Sequence, residues 1–131
     1  MSVIGQGISL RGMIHNDFHY PFMISGTVTA ADLGKPVTLD KTAANTVKIA
    51  GDGDTILGQL VTYEDRKVEG VKVATVALRG GWAFKVKSGD ALAIGDTAVG
   101  AGAGEIKKAT ANDLNQNVVV EISGGVATVI R

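Results

Sequence analysis

The fold class is decided by residues 71–87, which read VKVATVALRGGWAFKVK. Within this stretch Trp82, Phe84 and Val86 alternate with alanine and lysine. Because successive side chains of a β-strand point to opposite faces, this period of two places both rings on one face. The stretch therefore predicts a strand with one apolar and one polar side.

The neighbouring sequence continues the same pattern. Residues 71–78 are a second apolar run, separated from Trp82 by Gly80 and Gly81. Upstream, residues 56–63 form another apolar run that leads into a charged turn. Runs of this length bounded by turn residues are typical of hairpins. Residues 55–87 thus predict three antiparallel strands in succession.

Short strands are predicted elsewhere in the chain as well. Alternate valines and isoleucine over 117–122 precede Gly124 and Gly125, which favour a two-residue turn with residues 126–131 as the returning strand. Residues 36–40 and 46–50 each support a shorter strand. The 18 glycines are spread between these runs, about twice the usual share of roughly 7%. This punctuation indicates many short strands.

Helical signals are few. Residues 30–33 and 110–114 could each form one turn, and neither is long enough for a stable amphipathic helix. Residues 100–104, GAGAG, are interpreted as a flexible turn. We therefore expect a mainly β protein, a single small β-barrel or β-sandwich domain with a body over residues 25–131.

Residues 1–24 differ from the body. Phe18, Tyr20 and Phe22 are three of the six aromatic residues of the chain, and they lie within five positions. The segment is apolar but poorly periodic. One interpretation is a first strand folded into the core, and the other is an N-terminal arm that orders against a neighbouring chain.

Composition excludes several classes of function. The 131 residues carry 13 basic and 13 acidic side chains, so the net charge is zero, and no basic excess is present for binding nucleic acid. The absence of cysteine excludes disulfides, zinc–thiolate sites and cysteine nucleophiles. No secretory signal and no apolar run of about 18 residues is found, so we expect a protein made in the cytoplasm, with no membrane partner.

No set of residues predicts catalysis, a metal site or a cofactor. His15 and His19 are the only histidines, and on a strand they would lie roughly 13 Å apart, too far to share a metal ion. Asp52 and Asp54 flank Gly53 in what reads as a turn, since the glutamate of a calcium loop is missing. No nucleotide-binding glycine loop or serine elbow occurs. Trp82 is expected in the core, although tryptophan is also enriched at interfaces.

The chain resembles the capsid decoration, or cement, proteins of tailed phages, of the lambda head-decoration type. The resemblance is carried by residues 52–60, DGDTILGQL, and by residues 71–84, VKVATVALRGGWAF. Residues 93–99, AIGDTAV, look like a recurrent glycine–aspartate turn of that family, and GEIKKA follows at 104–109. The likeness covers about residues 50–110.

The resemblance implies a structural protein of the virion. Such a protein binds the outer surface of an expanded capsid, contacts the lattice of the major capsid protein and is often a homotrimer or another homo-oligomer. We expect Phe18, Tyr20, Phe22 and Trp82 to contact the capsid or a neighbouring subunit. The alternative is a β-barrel binding module that recognises a glycan or protein on a cell surface.

Overall fold

The computed structural model describes residues 16–66, 68, 70–110 and 117–131. Strands make up 57% of these residues and no α-helix is found among them, which confirms the prediction of a mainly β protein. Nine strands are present in this part of the chain: β1 (Asn16–Ile24), β2 (Pro36–Leu39), β3 (Thr46–Ile49), β4 (Gly58–Arg66), β5 (Val71–Val86), β6 (Ala98–Gly102), β7 (Glu105–Lys108), β8 (Val118–Ser123) and β9 (Val126–Ile130).

Strands β1 to β5 form the first group of pairings. β4 and the first half of β5 are an antiparallel hairpin, and β2 pairs with both β3 and β4. β1 pairs with β5 on one side and, in parallel, with β3 on the other. Each of the five strands therefore has two partner strands within the group.

The second half of β5 belongs to another group of strands. Residues 81–85 pair with β9, which in turn pairs with β8, while Lys85 and Val86 pair with β7 and β7 pairs with β6. β5 is thus the one strand that enters both groups. It holds them together along its sixteen residues.

The predicted division of residues 71–87 into two strands is wrong. β5 continues through Gly80 and Gly81 without a turn, because Gly80 takes a φ of +123°, which a side chain would disfavour. The backbone N–H of Gly80 donates to the carbonyl O of Arg131 at 3.4 Å, and the N–H of Arg131 donates back at 3.1 Å. The two glycines mark the passage from the first group of strands to the second.

The buried hydrophobic residues form two clusters, one for each group of strands. The first cluster, inside strands β1 to β5, consists of Ile24, Val28, Val37, Val47, Leu60, Ala74 and Val76. The second is built around Trp82 and Phe84 and includes Ile56, Ile106, Val119 and Val129. The alternation of Trp82, Phe84 and Val86 is confirmed, since the first two side chains are buried and the third packs against them.

The hairpin at residues 118–130 forms as predicted, with one change. Gly124 and Gly125 both have positive φ and make the two-residue turn. However, the register shifts between Val119 and Glu121, so the strand contains a bulge at this point. Val119 and Ile122 therefore both reach the second cluster, and simple alternation fails.

Two of the predicted turns occur, one of them shorter than expected. Residues 30–32 form a single 3₁₀ turn that begins after Thr29, whose N–H donates to the carboxylate of Asp32 at 2.9 Å. In the glycine-alanine stretch, residues up to Gly102 belong to β6, and only Ala103 and Gly104 make the turn to β7. The turn expected at 110–114 lies mostly outside the described residues.

Candidate docking surface

Strand β1 places the aromatic segment on the sheet. From Asn16 to Met23 it pairs with β5, whereas its pairing with β3 covers only Met23 and Ile24. Over residues 19–22, the edge that faces away from β5 therefore has no partner strand in the described part of the chain. Pro21 lies in the middle of this open edge, where its missing N–H breaks no ladder hydrogen bond.

The predicted contact residues Tyr20 and Phe22 lie side by side on one face of β1. Tyr20 is opposite Val76 and Phe22 is opposite Ala74, two residues of the first cluster. The ring centroids are 6.4 Å apart and the planes are tilted by 48°. Phe22 packs against the cluster, while 50% of Tyr20 remains exposed, so the tyrosine is available at the surface.

The opposite face of β1 carries a contact candidate that the sequence did not reveal. Met23 is 45% exposed, and both His19 and Pro21 on the same face are exposed too. Met23 lies opposite Val73, which is only partly buried. Methionine adapts its shape to irregular partners, which suits an interface. A strand with apolar groups on both faces gives no clear period, so periodicity could not separate the faces.

The N-terminal prediction is covered only in part. The backbone of Phe18 pairs with Arg79, and its side chain lies outside the described residues. His15 and the rest of residues 1–15 lie outside them as well. Residues 16–24 form a strand, and the interpretation of an arm concerns the residues before it.

Trp82 has to be removed from the predicted contact residues. Its side chain is 0% exposed and stacks in tilted geometry on Phe84, with ring centroids 5.9 Å apart. It lies opposite Val129 within the second cluster. A side chain with no exposed surface cannot contact a partner of the folded chain. Trp82 is therefore a core residue, the interpretation that tryptophan on such a strand favours.

Exposed apolar side chains also occur at turns, and Val68 and Ile94 are the most exposed of them. Val68, at the tip of the β4–β5 hairpin, is 102% exposed, and Ile94, in the loop before β6, is 67% exposed. The second loop is held firmly, because the carboxylate of Asp90 accepts hydrogen bonds from the N–H groups of Leu92 at 3.1 Å and Lys108 at 2.8 Å. Single exposed aliphatics are common at surfaces and do not by themselves define a site.

The charged groups are arranged as surface pairs and turn ligands. Asp52 pairs with Lys107 at 2.6 Å, which lowers the pKa of the aspartate below its ordinary value. Asp54 accepts the N–H of Gly51 at 2.8 Å and closes the turn predicted at residues 52–54. Among the described residues, no group of three His, Asp or Glu side chains could hold a metal ion.

Comparison of the sequence with protein-family models and with curated proteins gives no match. Within the described residues, no helix is long and apolar enough to cross a membrane. We define the β1 surface as Tyr20, Phe22 and Met23 together with the open edge at residues 19–22. This surface is the best candidate for binding a partner.

Proposed function

We propose that this protein is a capsid decoration protein that binds the outside of an expanded phage shell and stabilises it. The observation that carries the proposal is the β1 surface. There Tyr20 and Met23 are about half exposed on opposite faces of a strand, and one edge of that strand has no partner among the described residues. A sheet edge offers backbone hydrogen bonds and its flanking side chains add apolar contacts. The family resemblance of residues 50–110 names the partner, the lattice of the major capsid protein.

We also infer that strands β1 to β5 close into a small barrel. In support, the pairings lead from β1 through β3, β2, β4 and β5 back to β1. A closed body of this kind is rigid, which favours binding because little conformational entropy is lost on docking. By the family resemblance the unit on the shell is a homotrimer. Repetition over a lattice then multiplies weak contacts into firm retention.

The alternative is a module that binds a cell-surface glycan or protein. Glycan binding relies on exposed aromatic rings with polar neighbours, and the burial of Trp82 leaves Tyr20 as the most exposed aromatic ring of the described residues. Copy number separates the two functions. A decoration protein is present in particles in numbers comparable to those of the major capsid protein, whereas a receptor-binding module is present in few copies.

The decisive experiment combines particle analysis with binding to empty shells. Particles banded on a density gradient are analysed for copy number, and purified protein is then added to expanded shells that lack it. Deletion of residues 2–20 is a poor variant, because it removes five of the nine residues of β1. The substitutions Tyr20→Ser and Met23→Ser change two half-exposed side chains outside the buried clusters and leave the backbone pairing with β5 in place.

We expect the double variant to fold like the parent and to lose at least about tenfold in shell affinity, a loss of roughly 1.4 kcal/mol. Ile94→Ser is the matched control, since it removes an exposed aliphatic group at another surface. A protein that is absent from particles, or a double variant that binds shells like the parent, contradicts the proposal.

A further inference from the structure

A pocket lies where the end of β2 meets the segment before β4 and the residue after β9. Its volume is about 290 Å³, at the lower end of the roughly 300–1,000 Å³ of ordinary ligand pockets, so it fits a short chain or a single side chain. Seven residues line it: Thr38, Leu39, Lys41, Thr55, Ile56, Leu57 and Arg131. We call it the Arg131 pocket.

The apolar part of the lining comes from Leu39, Ile56 and Leu57. Leu39, at the end of β2, is 49% exposed, and Leu57 is partly buried against the first cluster. An aliphatic group placed on these two leucines would remove apolar surface from water, which favours binding. The pocket is therefore suited to a ligand with an aliphatic part.

Arg131 is held in place at both ends of its side chain. Its backbone N–H donates to the carbonyl O of Gly80 at 3.1 Å, and its carbonyl O accepts from the N–H of Gly80 at 3.4 Å. At the other end, Nη1 donates to the carbonyl O atoms of Ile56 and Leu57, at 3.1 Å in both cases. A side chain that is fixed in advance loses little conformational entropy when a ligand binds.

The two carbonyl groups leave one edge of the guanidinium for a ligand. Nη1 carries two N–H groups, and the bonds to Ile56 and Leu57 account for both. Nε and Nη2 present their N–H groups in parallel along another edge, and this arrangement matches the two oxygens of a carboxylate. Lys41 adds a second positive charge to the lining. The polar part of the pocket is therefore suited to a carboxylate.

The electrostatic surroundings of Arg131 favour an anion as well. Burial, followed by the positive charge of Arg79, lowers the pKa of the Arg131 guanidinium below its ordinary value. The guanidinium nevertheless stays charged, because arginine keeps its proton in proteins. A carboxylate beside Arg131 would offset both the cost of the partly buried charge and the repulsion from Arg79.

We propose that the Arg131 pocket binds an aliphatic carboxylate. The carboxylate would lie on the Nε–Nη2 edge of Arg131, and the aliphatic group would lie against Leu39 and Leu57. A free short-chain fatty acid and a peptide that ends in an aliphatic residue both present this chemistry. The inference does not rest on the proposed function, and none of the lining residues belongs to the β1 surface.

The test is a titration of the isolated full-length protein, followed by the NMR chemical shifts of its backbone amides. Hexanoate represents the free acid and N-acetyl-leucine the peptide end, and 1-hexanol and N-acetyl-leucinamide are their matched neutral ligands. We expect shifts at the amides of Leu39, Ile56 and Leu57. For at least one acid, the dissociation constant should be at least about tenfold lower than that of its neutral counterpart, because charge-assisted hydrogen bonds are lost without the carboxylate. The acid that binds more tightly identifies the source of the ligand.

Two variants separate the Arg131 guanidinium from the general positive charge of the surface. Arg131→Gln removes the charge and the parallel N–H groups, so it should weaken binding of the acid by about tenfold or more and leave binding of the neutral ligand unchanged. Arg79→Gln is the matched control, because it removes the neighbouring cation, which is not part of the lining. It should change binding by less than about threefold, since solvent and salt screen a charge at that distance. Unchanged amide shifts away from the pocket show that each variant is folded.

Three outcomes overturn the proposal. If neither acid shifts the amides of the pocket, it binds no aliphatic carboxylate, and the proposed binding to shells is unaffected. If the neutral ligands bind as tightly as the acids, the pocket recognises only the aliphatic group. If a folded Arg131→Gln variant binds the acid like the parent, the carboxylate lies elsewhere. Preferential binding of an acid that is lost with Arg131→Gln and kept with Arg79→Gln supports the proposal.

Discussion

Asn117 and Ile56 are 61 positions apart in sequence and are joined by a hydrogen bond in the core. The side-chain Nδ2 of Asn117 donates to the carbonyl O of Ile56 at 3.1 Å, and Asn117 is completely buried. The same carbonyl accepts a hydrogen bond from Nη1 of Arg131 at 3.1 Å. The side chain of Ile56 belongs to the second cluster, while the chain enters β4 of the first group at Gly58. This carbonyl therefore connects the two groups of strands.

We predict that Asn117→Ala destabilises the protein by about 1–3 kcal/mol, because the substitution removes a buried donor and leaves a cavity beside the Ile56 carbonyl. The free energy of unfolding from denaturant titration measures the loss. Arg131→Ala should lower the free energy of unfolding by less, about 1 kcal/mol or below, because Arg131 is partly exposed and water can replace its hydrogen bonds. Equal losses for the two variants would show that Asn117 adds nothing through its burial.

The placement of Trp82 in the core is tested by its substitution. We predict that Trp82→Ala destabilises the chain by about 3–5 kcal/mol, since it removes the largest fully buried side chain and leaves a cavity against Phe84. Ile94→Ala at the exposed loop should change stability by less than about 0.5 kcal/mol. Both values come from thermal or chemical unfolding. A small effect of Trp82→Ala would mean that the ring is not part of the core.

The sequence predicts the strands well where apolar residues alternate with a period of two and only one face of the strand is buried. Trp82 and Phe84 are such a case, and Gly124–Gly125 is another because the turn needs positive φ twice. The prediction from sequence fails where glycines lie inside a strand. Gly80–Gly81 resembles a turn, but there the glycines let one long strand change partners, and only the pairing with β9 reveals it.

The candidate site could be predicted only in part. The aromatic cluster pointed to Tyr20, but not to Met23 on the other face of β1, since exposure depends on which neighbouring strands end early. The sequence cannot decide between core and contact for Trp82, because tryptophan is frequent both in cores and at interfaces. The open edge at residues 19–22 follows from the short pairing with β3, a long-range contact without a local sequence signal.

Gly100 allows close approach of two segments. Its N–H donates to the backbone carbonyl O of Asp54 at 2.8 Å. A Cβ at this position would lie 2.6 Å from the carbonyl O of Gly51 and 2.7 Å from Cβ of Ala50. We predict that Gly100→Ala destabilises the protein by about 1–3 kcal/mol, because backbone atoms would have to shift. Gly26→Ala is the control, since no atom lies within 4 Å of the new Cβ. It should leave stability unchanged or raise it by up to about 1 kcal/mol.

The Asp32–Lys35 pair predicts how stability responds to acid. Nζ of Lys35 lies 2.7 Å from the Asp32 carboxylate, and this hydrogen bond, followed by that from the Thr29 N–H, holds the pKa of Asp32 below its ordinary value of 3.8. Because the pKa of Asp32 is lower in the folded state, the folded state keeps the ionised form to lower pH than the unfolded state. The resulting stability is fully present above pH 4 to 5 and is lost as the pH falls through the folded pKa.

The contribution should be below about 1 kcal/mol, since Lys35 is partly exposed and solvent screens the pair. We therefore expect Asp32→Asn to lower stability at pH 7 and to flatten the fall in stability between pH 5 and pH 2, measured as the unfolding free energy at each pH. Lys35→Met should have a smaller effect of the same sign, because the hydrogen bond from Thr29 remains and keeps part of the shift. If Asp32→Asn leaves the dependence of stability on acid pH unchanged, the pair does not stabilise the turn before β2. The acid sensitivity would then come from other turn aspartates. Asp40 is the first to test, because its carboxylate accepts hydrogen bonds from the N–H and the hydroxyl of Thr42.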